Sequence, residues 1–454
     1  MPTVLDLEAI GGAYCRQPMN QISVFEHQPI GEPLSDSEMA ALAKLCGPGG
    51  EKMFAFGWHE VKATSFVGVV QLGTKTVQVL PKMHLSDLPA GECERQATAN
   101  LLFLLSYTGK LRVTEPEISR LTEKSAPLSE ILYWIFAHRL WEAVRRELLR
   151  GYVSVEARLN VMKGRWLVAA QVQRTDGWRR DRFDVAYDQF TEDNLPNRLF
   201  NATVIRLLSL ANWSDTRNHL AQLRSAFADV ADVTPLPNDF PEAAQWMQWY
   251  RHRASEGQSY RPLLEMARMF WAGAGPQPSP GRLDAFAFIF DMNGLFEEFI
   301  AEFIRRELRA EWQERAWSLR PQSGTRHLLC DESGSSVFQL IPDIRFETLL
   351  GETSLIVDTK YKFLDVSAAK SGVAETDAYQ MFAYKERYHC PRVVLLYPQI
   401  SDKIARDFSA DAYSPPWLEV RTLDLQRDLM REKMELRNEL VSILITNHNK
   451  EIDL

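Results

Sequence analysis

Cysteine is scarce and unpatterned in this 454-residue chain. Its five cysteines, Cys15, Cys46, Cys93, Cys330 and Cys390, never form a Cys-x-x-Cys pair. That argues against a disulfide framework or a zinc ribbon and fits a reducing compartment. The nine histidines show neither His-x-His nor His-x-x-x-His spacing, so a histidine metal centre has no support. The G-x-x-x-x-G-K-[ST] spacing of a phosphate loop is absent; Gly47-Pro48-Gly49-Gly50, followed by Glu51-Lys52, reads as a turn. Any nucleotide hydrolysis would therefore come from a partner. No apolar run approaches the roughly 20 residues of a spanning helix, and the opening residues lack the basic and apolar regions of a secretory signal. A cytoplasmic protein without a membrane is expected.

What is present is ordinary for a soluble globular protein: 25% charged and 45% hydrophobic residues, with a net charge of −8. The length predicts two or three domains. The net charge excludes a uniformly basic nucleic-acid binder but not a local basic patch. One such patch runs from Arg139 to Arg182, where eleven Lys/Arg face five acidic residues, with Trp166 and Trp178 interleaved. This is either a phosphate-contacting surface or a solvated helix face and loop.

Hydrophobic periodicity divides the chain in three. Residues 1–130 read as a small α+β module, with a hairpin over Phe66–Leu72 and Thr76–Lys82 and a helix over Glu92–Thr108. Residues 131–272 open with an amphipathic helix, Ser129–Arg150, and strands over Tyr152–Leu159 and Arg165–Val172. They continue as helices whose Trp246, Trp249, Tyr250, Tyr260 and Trp271 fit a core better than a base-stacking surface. Ala272–Arg282, with three prolines and three glycines, reads as a linker. Residues 283–454 then predict a helix over Phe286–Arg309, strands near His327–Asp331, Val337–Phe346 and Leu355–Lys362, a helix over Glu375–Tyr388, strands Arg392–Tyr397 and Leu418–Leu423, and a closing helix Gln426–Thr446. The class is α/β, a mixed sheet flanked by helices, behind a mixed α+β N-terminal part.

Three polar residues interrupt the apolar strands of this last part: Asp343, Asp358 and Lys360. Asp358 and Lys360 are two apart and project from one strand face. With Asp343 opposite them, two carboxylates and an ammonium converge, a set suited to Mg²⁺ or Mn²⁺. Pro342-Asp343 on one strand and Asp358-Thr359-Lys360 on the next, within the order helix–strand–strand–strand–helix–strand, resemble the PD-(D/E)xK nuclease superfamily. The resemblance implies that Asp343 and Asp358 hold the metal and that Lys360 orients or deprotonates the attacking water. It also implies a metal-ligating helix glutamate, for which Glu297 is placed, and in the RecB-like branch a Q-x-x-x-Y pair beside the site, here Gln380 and Tyr384.

Segments spread over roughly residues 55 to 390 resemble the McrC family of McrBC-type modification-dependent restriction systems. They include Val67–Val70, Val79–Lys82, Phe136–Leu140, Leu149–Tyr152, Phe190–Asn194, Phe290–Glu297, Pro342-Asp343, Asp358–Lys362 and Tyr379-Gln380. That resemblance implies a Mg²⁺-dependent DNA endonuclease subunit that docks through its N-terminal part on a hexameric McrB-like AAA+ GTPase, stimulates it, and cuts double-stranded, modified DNA. Two other readings stand beside it: a non-catalytic activator of the AAA+ partner, and a RecB-like repair nuclease working without a GTPase. The intact Asp343, Asp358 and Lys360 set weighs against the first of these.

Overall fold

The computed structural model describes residues 20–45, 53–57, 60–73, 75–83, 88–111, 113–123, 126–179, 181–250, 260–271, 285–364, 369–399, 402–411 and 413–445. The turn expected at 47–50 and the linker expected at 272–282 lie outside them.

The N-terminal part contains β1 (Asn20–Phe25), α1 (Asp36–Leu45), a short ribbon of β2 (Phe54–Phe56) and β3 (Val61–Ala63), and the expected hairpin of β4 (Phe66–Leu72) and β5 (Lys75–Leu80). α2 (Ala90–Thr108), α3 (Glu115–Glu123) and α4 (Leu128–Arg146) cover it. A three-stranded ribbon follows, of β6 (Gly151–Leu159), β7 (Arg165–Trp166) and β8 (Phe183–Thr191), with α5 (Val168–Val172) between the last two. The strand expected over 165–172 thus lasts two residues before turning helical. Gln171 is the reason: its side chain accepts from Trp166 Nε1 at 2.8 Å and donates to the Arg182 carbonyl at 2.8 Å, closing the segment on itself. Four helices complete the middle: α6 (Leu195–Leu210), α7 (Ser214–Ala226), α8 (Asp239–Tyr250) and α9 (Tyr260–Trp271).

The main departure from the sequence reading comes next. Residues 285–291 form a strand, β9 (Ala285–Asp291), and only then does α10 (Met292–Glu307) begin, with Asp291 as its cap accepting from Asn293 N. Phe286, Phe288 and Phe290 alternate with Ala287 and Ile289, the two-residue period of a strand. β9 pairs antiparallel with β4 along its whole length, giving the sheet order β1-β5-β4-β9. The two strands approach so closely at Gly68 that a Cβ there would sit 2.1 Å from the Phe288 carbonyl oxygen, and Gly68 has φ +136. Only glycine fits that conformation.

Beyond α11 (Arg309–Glu314) lie β10 (Trp317–Pro321), β11 (Arg326–Cys330), β12 (Ser336–Leu340), β13 (Ile344–Thr348), β14 (Thr353–Thr359), α12 (Glu375–Tyr388), β15 (Val393–Gln399), β16 (Ala405–Phe408), β17 (Leu418–Asp424) and α13 (Lys433–Leu444). Six of these strands make one mixed sheet, ordered β10-β13-β14-β15-β17-β16. The strand expected over 337–346 is two: β12 pairs with β11 in a separate ribbon, and the chain breaks at Ile341-Pro342-Asp343 before β13. Proline supplies no ladder N–H, so the break falls there. The expected closing helix begins seven residues late, because Gln426–Glu432 is spent in turns.

One apolar core runs through both halves, from Val67, Leu102 and Phe136 to Phe299, Ile344 and Val357. Asn100 of α2 ties them further: its Nδ2 donates to the carbonyls of Met83 and Leu425 at 3.1 Å and Arg427 at 2.9 Å, and its Oδ1 accepts from Leu429 N at 3.2 Å. The segments before and after 272–282 therefore share a sheet and a core. Of the aromatics in the middle helices, Tyr260 is buried and Trp246 and Trp271 pack against the core; the side chains of Trp249 and Tyr250 lie outside the described residues.

Candidate active site

The paired register of β13 and β14 runs Ile344↔Val357, Arg345↔Ile356, Phe346↔Leu355. One step further places Asp343 opposite Asp358, as the two-strand reading required. β14 is antiparallel to β13 on one side and parallel to β15 on the other. Asp358 and Lys360 therefore emerge where the direction of pairing changes and the ladder to β13 ends.

Asp358 is 1% exposed. Lys360 Nζ lies 2.6 Å from its Oδ2 in ion-pair contact, yet neither oxygen receives a hydrogen bond of regular geometry. Burial pushes the Asp358 carboxyl up; Lys360 pulls it down by less, and Glu297 and Asp377 add to the rise. Asp343 is held differently. Its Oδ2 accepts from both the backbone N and the hydroxyl of Thr359, each at 2.7 Å. Burial and the Asp358 charge nevertheless push its carboxyl up to about 6.

Lys360 is itself positioned. Its Nζ donates to Gln380 Oε1 at 3.2 Å; Gln380 Nε2 donates to Tyr384 OH at 2.8 Å; and Tyr384 OH donates to the Ile341 carbonyl at 2.9 Å. The Q-x-x-x-Y pair of α12 thus forms a chain from the lysine back to the break before Asp343. Tyr384 is buried, and burial, then the Asp358 charge, raise its phenol well above the ordinary tyrosine range. Burial would lower the Lys360 ammonium, but the carboxylates, Asp358 first, outweigh it and raise it.

Glu297, one turn into α10, reaches the same cluster. Its Oε1 accepts from Gln322 Nε2 at 2.8 Å, and Gln322 N donates to the Asp343 carbonyl at 2.8 Å. Burial and the proximity of Asp343 raise its carboxyl. Asp343, Asp358, Lys360, Glu297, Gln380 and Tyr384 are therefore all brought together. Sequence reasoning missed three contributors: Thr359, Gln322, and the buried Asp377, which accepts from Tyr397 OH at 3.2 Å and faces Lys362 at 3.3 Å. Thr359 could have been suspected from its place between two motif residues. Gln322 carries no sequence signal.

The donor set suits a hard divalent cation. Carboxylate oxygens line it, both Asp358 oxygens are buried without a hydrogen bond of regular geometry, and three carboxyls have raised proton affinities that an added positive charge would relieve. Among the described residues no group of three or more His, Cys, Asp or Glu side chains is placed to hold a metal ion together. Mg²⁺ characteristically takes one or two carboxylates and keeps several waters, so Asp343 and Asp358 can serve with Glu297 nearby.

Five of the eleven bases of the basic stretch are in ion pairs. Arg139 pairs with Glu117 and Glu142, Arg150 with Glu192, Arg158 with Asp176, Arg174 with Asp184 and Arg179 with Asp181. The ribbon that carries much of it instead exposes apolar side chains, among them Tyr152, Phe190, Val172 and Trp178, the last 80% exposed. No described helix is long and apolar enough to cross a membrane.

Residues 61–398 match the family model described as McrBC 5-methylcytosine restriction system component. Among solved structures, the fold is similar to a chain of a half-complex from a tetradecameric assembly of Thermococcus gammatolerans McrB AAA+ hexamers with bound McrC: 18% identity, 94% of this chain and 100% of that one covered, TM-score 0.64. A chain of the Thermococcus gammatolerans McrBC complex gives 21% identity, 64% of this chain and 88% of that one, TM-score 0.45. No curated protein matches.

Proposed function

This chain belongs to the family of McrBC 5-methylcytosine restriction system components, and on that premise we propose that it is the McrC-type nuclease subunit, hydrolysing DNA phosphodiester bonds at the Asp343–Asp358–Lys360 centre. One observation carries the reading. A carboxylate pair, Asp358 buried and Asp343 half-buried, sits at a strand end with no hydrogen bond of regular geometry on either Asp358 oxygen and the Lys360 ammonium 2.6 Å from one of them. A structural role does not require such an arrangement, and burying uncompensated charge is costly.

A Mg²⁺ or Mn²⁺ ion, when bound, would polarise the phosphate and lower the pKa of a water. The chain's own residues do the rest. Asp343, its Oδ2 clamped by Thr359, keeps its other oxygen for the ion. Asp358 offers both. Lys360, held between Asp358 and Gln380, places a positive charge where a phosphorane would gather negative charge and can orient the attacking water. The Gln380–Tyr384 chain prevents the lysine from swinging into solvent.

Without a cation the carboxylates strain against one another, which gives a pH signature. Asp343 binds its proton more tightly folded than unfolded. Its contribution to stability is therefore greatest below the ordinary carboxylate range and is lost as pH rises through about 6. In chelator, the melting temperature is expected to fall between pH 5 and pH 7.5, and millimolar Mg²⁺ should raise it more at pH 7.5 than at pH 5. Asp343→Asn should remove most of that difference in scanning fluorimetry; an unchanged difference would detach the effect from this site.

The partner follows from the family and from the ribbon β6–β7–β8. Arg158, Arg174 and Arg179 are held in local ion pairs while Tyr152, Phe190 and Trp178 are exposed, which suits a protein surface better than a phosphate track. We assign the ribbon to an McrB-like AAA+ GTPase, with the motor and the recognition of modified DNA lying in that partner. The test is cleavage of methylated and unmethylated duplex DNA by this chain, with Mg²⁺, with and without a McrB-like GTPase. Cleavage confined to methylated DNA with partner and GTP is expected. Equal cleavage of both substrates without the partner would favour the RecB-like reading, and GTPase stimulation without any cleavage would favour the non-catalytic activator.

A further inference from the structure

Lys360 is the first residue beyond β14, and the 360–363 segment has few backbone anchors: Lys360 N to the Leu396 carbonyl at 2.9 Å, and Lys362 N to the Lys360 carbonyl at 2.9 Å. What fixes it lies 335 residues away in sequence. Tyr361 OH donates to Glu26 Oε2 at 2.8 Å. Glu26 follows β1 and is completely buried, and its Oε2 also accepts from Lys82 N at 3.0 Å. Its Oε1 is buried and accepts no hydrogen bond.

The surroundings tighten this grip. The Tyr361 ring packs on Phe296, the residue before Glu297, at 5.8 Å between centroids, and on Phe363 at 5.6 Å. Phe363 in turn meets His27 edge-on at 6.0 Å. The turn after β1 and the helix carrying Glu297 therefore close on the residue next to Lys360 from two directions. A leucine at position 26 would fill the space without burying a carboxylate. Burying one with an unpartnered oxygen costs stability, so packing alone does not account for it.

We infer that Glu26 is a positioning residue for Lys360: by holding Tyr361 it fixes the Asp358-Thr359-Lys360 strand end, and the N-terminal sheet is thereby part of the cutting site. This rests on the nuclease reading of that site and adds to it a mechanical link from the N-terminal sheet to the centre that cuts.

The experiment uses the full chain with a McrB-like GTPase, GTP, Mg²⁺ and methylated duplex DNA. Tyr361→Phe removes only the hydroxyl and is expected to lower kcat about tenfold, since small misplacements of a reacting group are felt strongly. KM for DNA and GTPase stimulation should be unchanged, the melting temperature should fall by only a few degrees for the one lost hydrogen bond, and the Lys360 amide should exchange its hydrogen faster. Glu26→Gln keeps an acceptor for both donors and is expected to retain most of the rate, whereas Glu26→Leu should resemble Tyr361→Phe. Wild-type rates in Tyr361→Phe overturn the inference. So does a parallel loss of cleavage, stimulation and thermal stability, which marks a merely structural role. Asp358→Ala separates the two levels: if it is inactive while Tyr361→Phe is fully active, the nuclease reading stands and the link fails; if it cleaves normally, the nuclease reading itself fails.

Discussion

Asp358→Ala is expected to lower DNA cleavage by at least about a thousandfold while leaving GTPase stimulation near the wild-type level. Removing one preorganised electrostatic contact at a reacting centre costs about 10²–10³ in rate. Asp358 combines two such roles, as the most deeply buried of the three carboxylates and as the charge that holds Lys360 Nζ at 2.6 Å. The same substitution should not destabilise the cation-free chain and should raise its melting temperature. Lys360 offsets only part of the cost of burying the Asp358 carboxylate, and loss of that carboxylate relieves the repulsion that lifts Asp343. Loss of activity with gain of stability is the signature of a functional site under strain. Lys360→Ala should also lose cleavage, but through a different route: it leaves Asp358 buried without its counter-charge, so its melting temperature should fall. The pair of outcomes, opposite in stability and alike in activity, is read by a quantitative cleavage assay and scanning fluorimetry on the same preparations. Full cleavage by Asp358→Ala, with partner and Mg²⁺ present, would sink the site assignment.

The site was legible where its chemistry follows strand periodicity. Asp358 and Lys360 share a face because they are two apart, and Asp343 stands out because aspartate seldom interrupts an apolar run. Glu297, Gln380 and Tyr384 were reached through a family resemblance, and the structure gives the last two a definite place: they form the hydrogen-bonded chain that steadies Lys360. Thr359 escaped notice because a threonine in a strand is unremarkable until its hydroxyl and its amide are seen on one carboxylate oxygen. Gln322 and Glu26 were beyond reach, since each acts across a sequence separation that no local pattern encodes. The largest misreading of the fold has a local cause. Phe286 to Ile300 is continuously rich in apolar residues, so the seven residues of β9 were absorbed into the helix that follows. Period two and period 3.6 are hard to separate when nearly every position is buried, and β9 is buried because it lies between β4 and α9. A proline-rich segment just before it then suggested a boundary that the sheet crosses.

The crossing leads to the second large effect: residues 283–454 expressed alone are expected to be insoluble or to melt without cooperativity. β9 would lose β4, its one sheet partner among the described residues, with the full register from Phe66↔Asp291 to Leu72↔Ala285. Phe286 and Phe288 would be uncovered. α10 would lose α2, against which Phe299 and Phe303 stack with Phe103 and Tyr107 at 5.2–5.9 Å between centroids. Asn100 would no longer hold the 425–429 segment, nor Glu26 the strand end at Tyr361. Each large apolar side chain returned to water costs about 1.5–3 kcal/mol, so uncovering a handful exceeds the 5–15 kcal/mol that holds a domain together. Starting the fragment at Met292 instead does not help, because the α2-facing side of α10 is still bare. Co-expression of residues 1–271 with 283–454 should restore soluble protein, since β4–β9 pairing and the shared core can form between two chains as they do within one. A soluble 283–454 fragment with a sharp, reversible transition and Mg²⁺-dependent stabilisation would show that the cutting centre is independent of the N-terminal sheet. If the fragment instead needs its complement, the unit that cuts and the unit that meets the motor share one core. A force or displacement at the N-terminal sheet would then reach Glu297 through β9 and α10, and Lys360 through Glu26 and Tyr361.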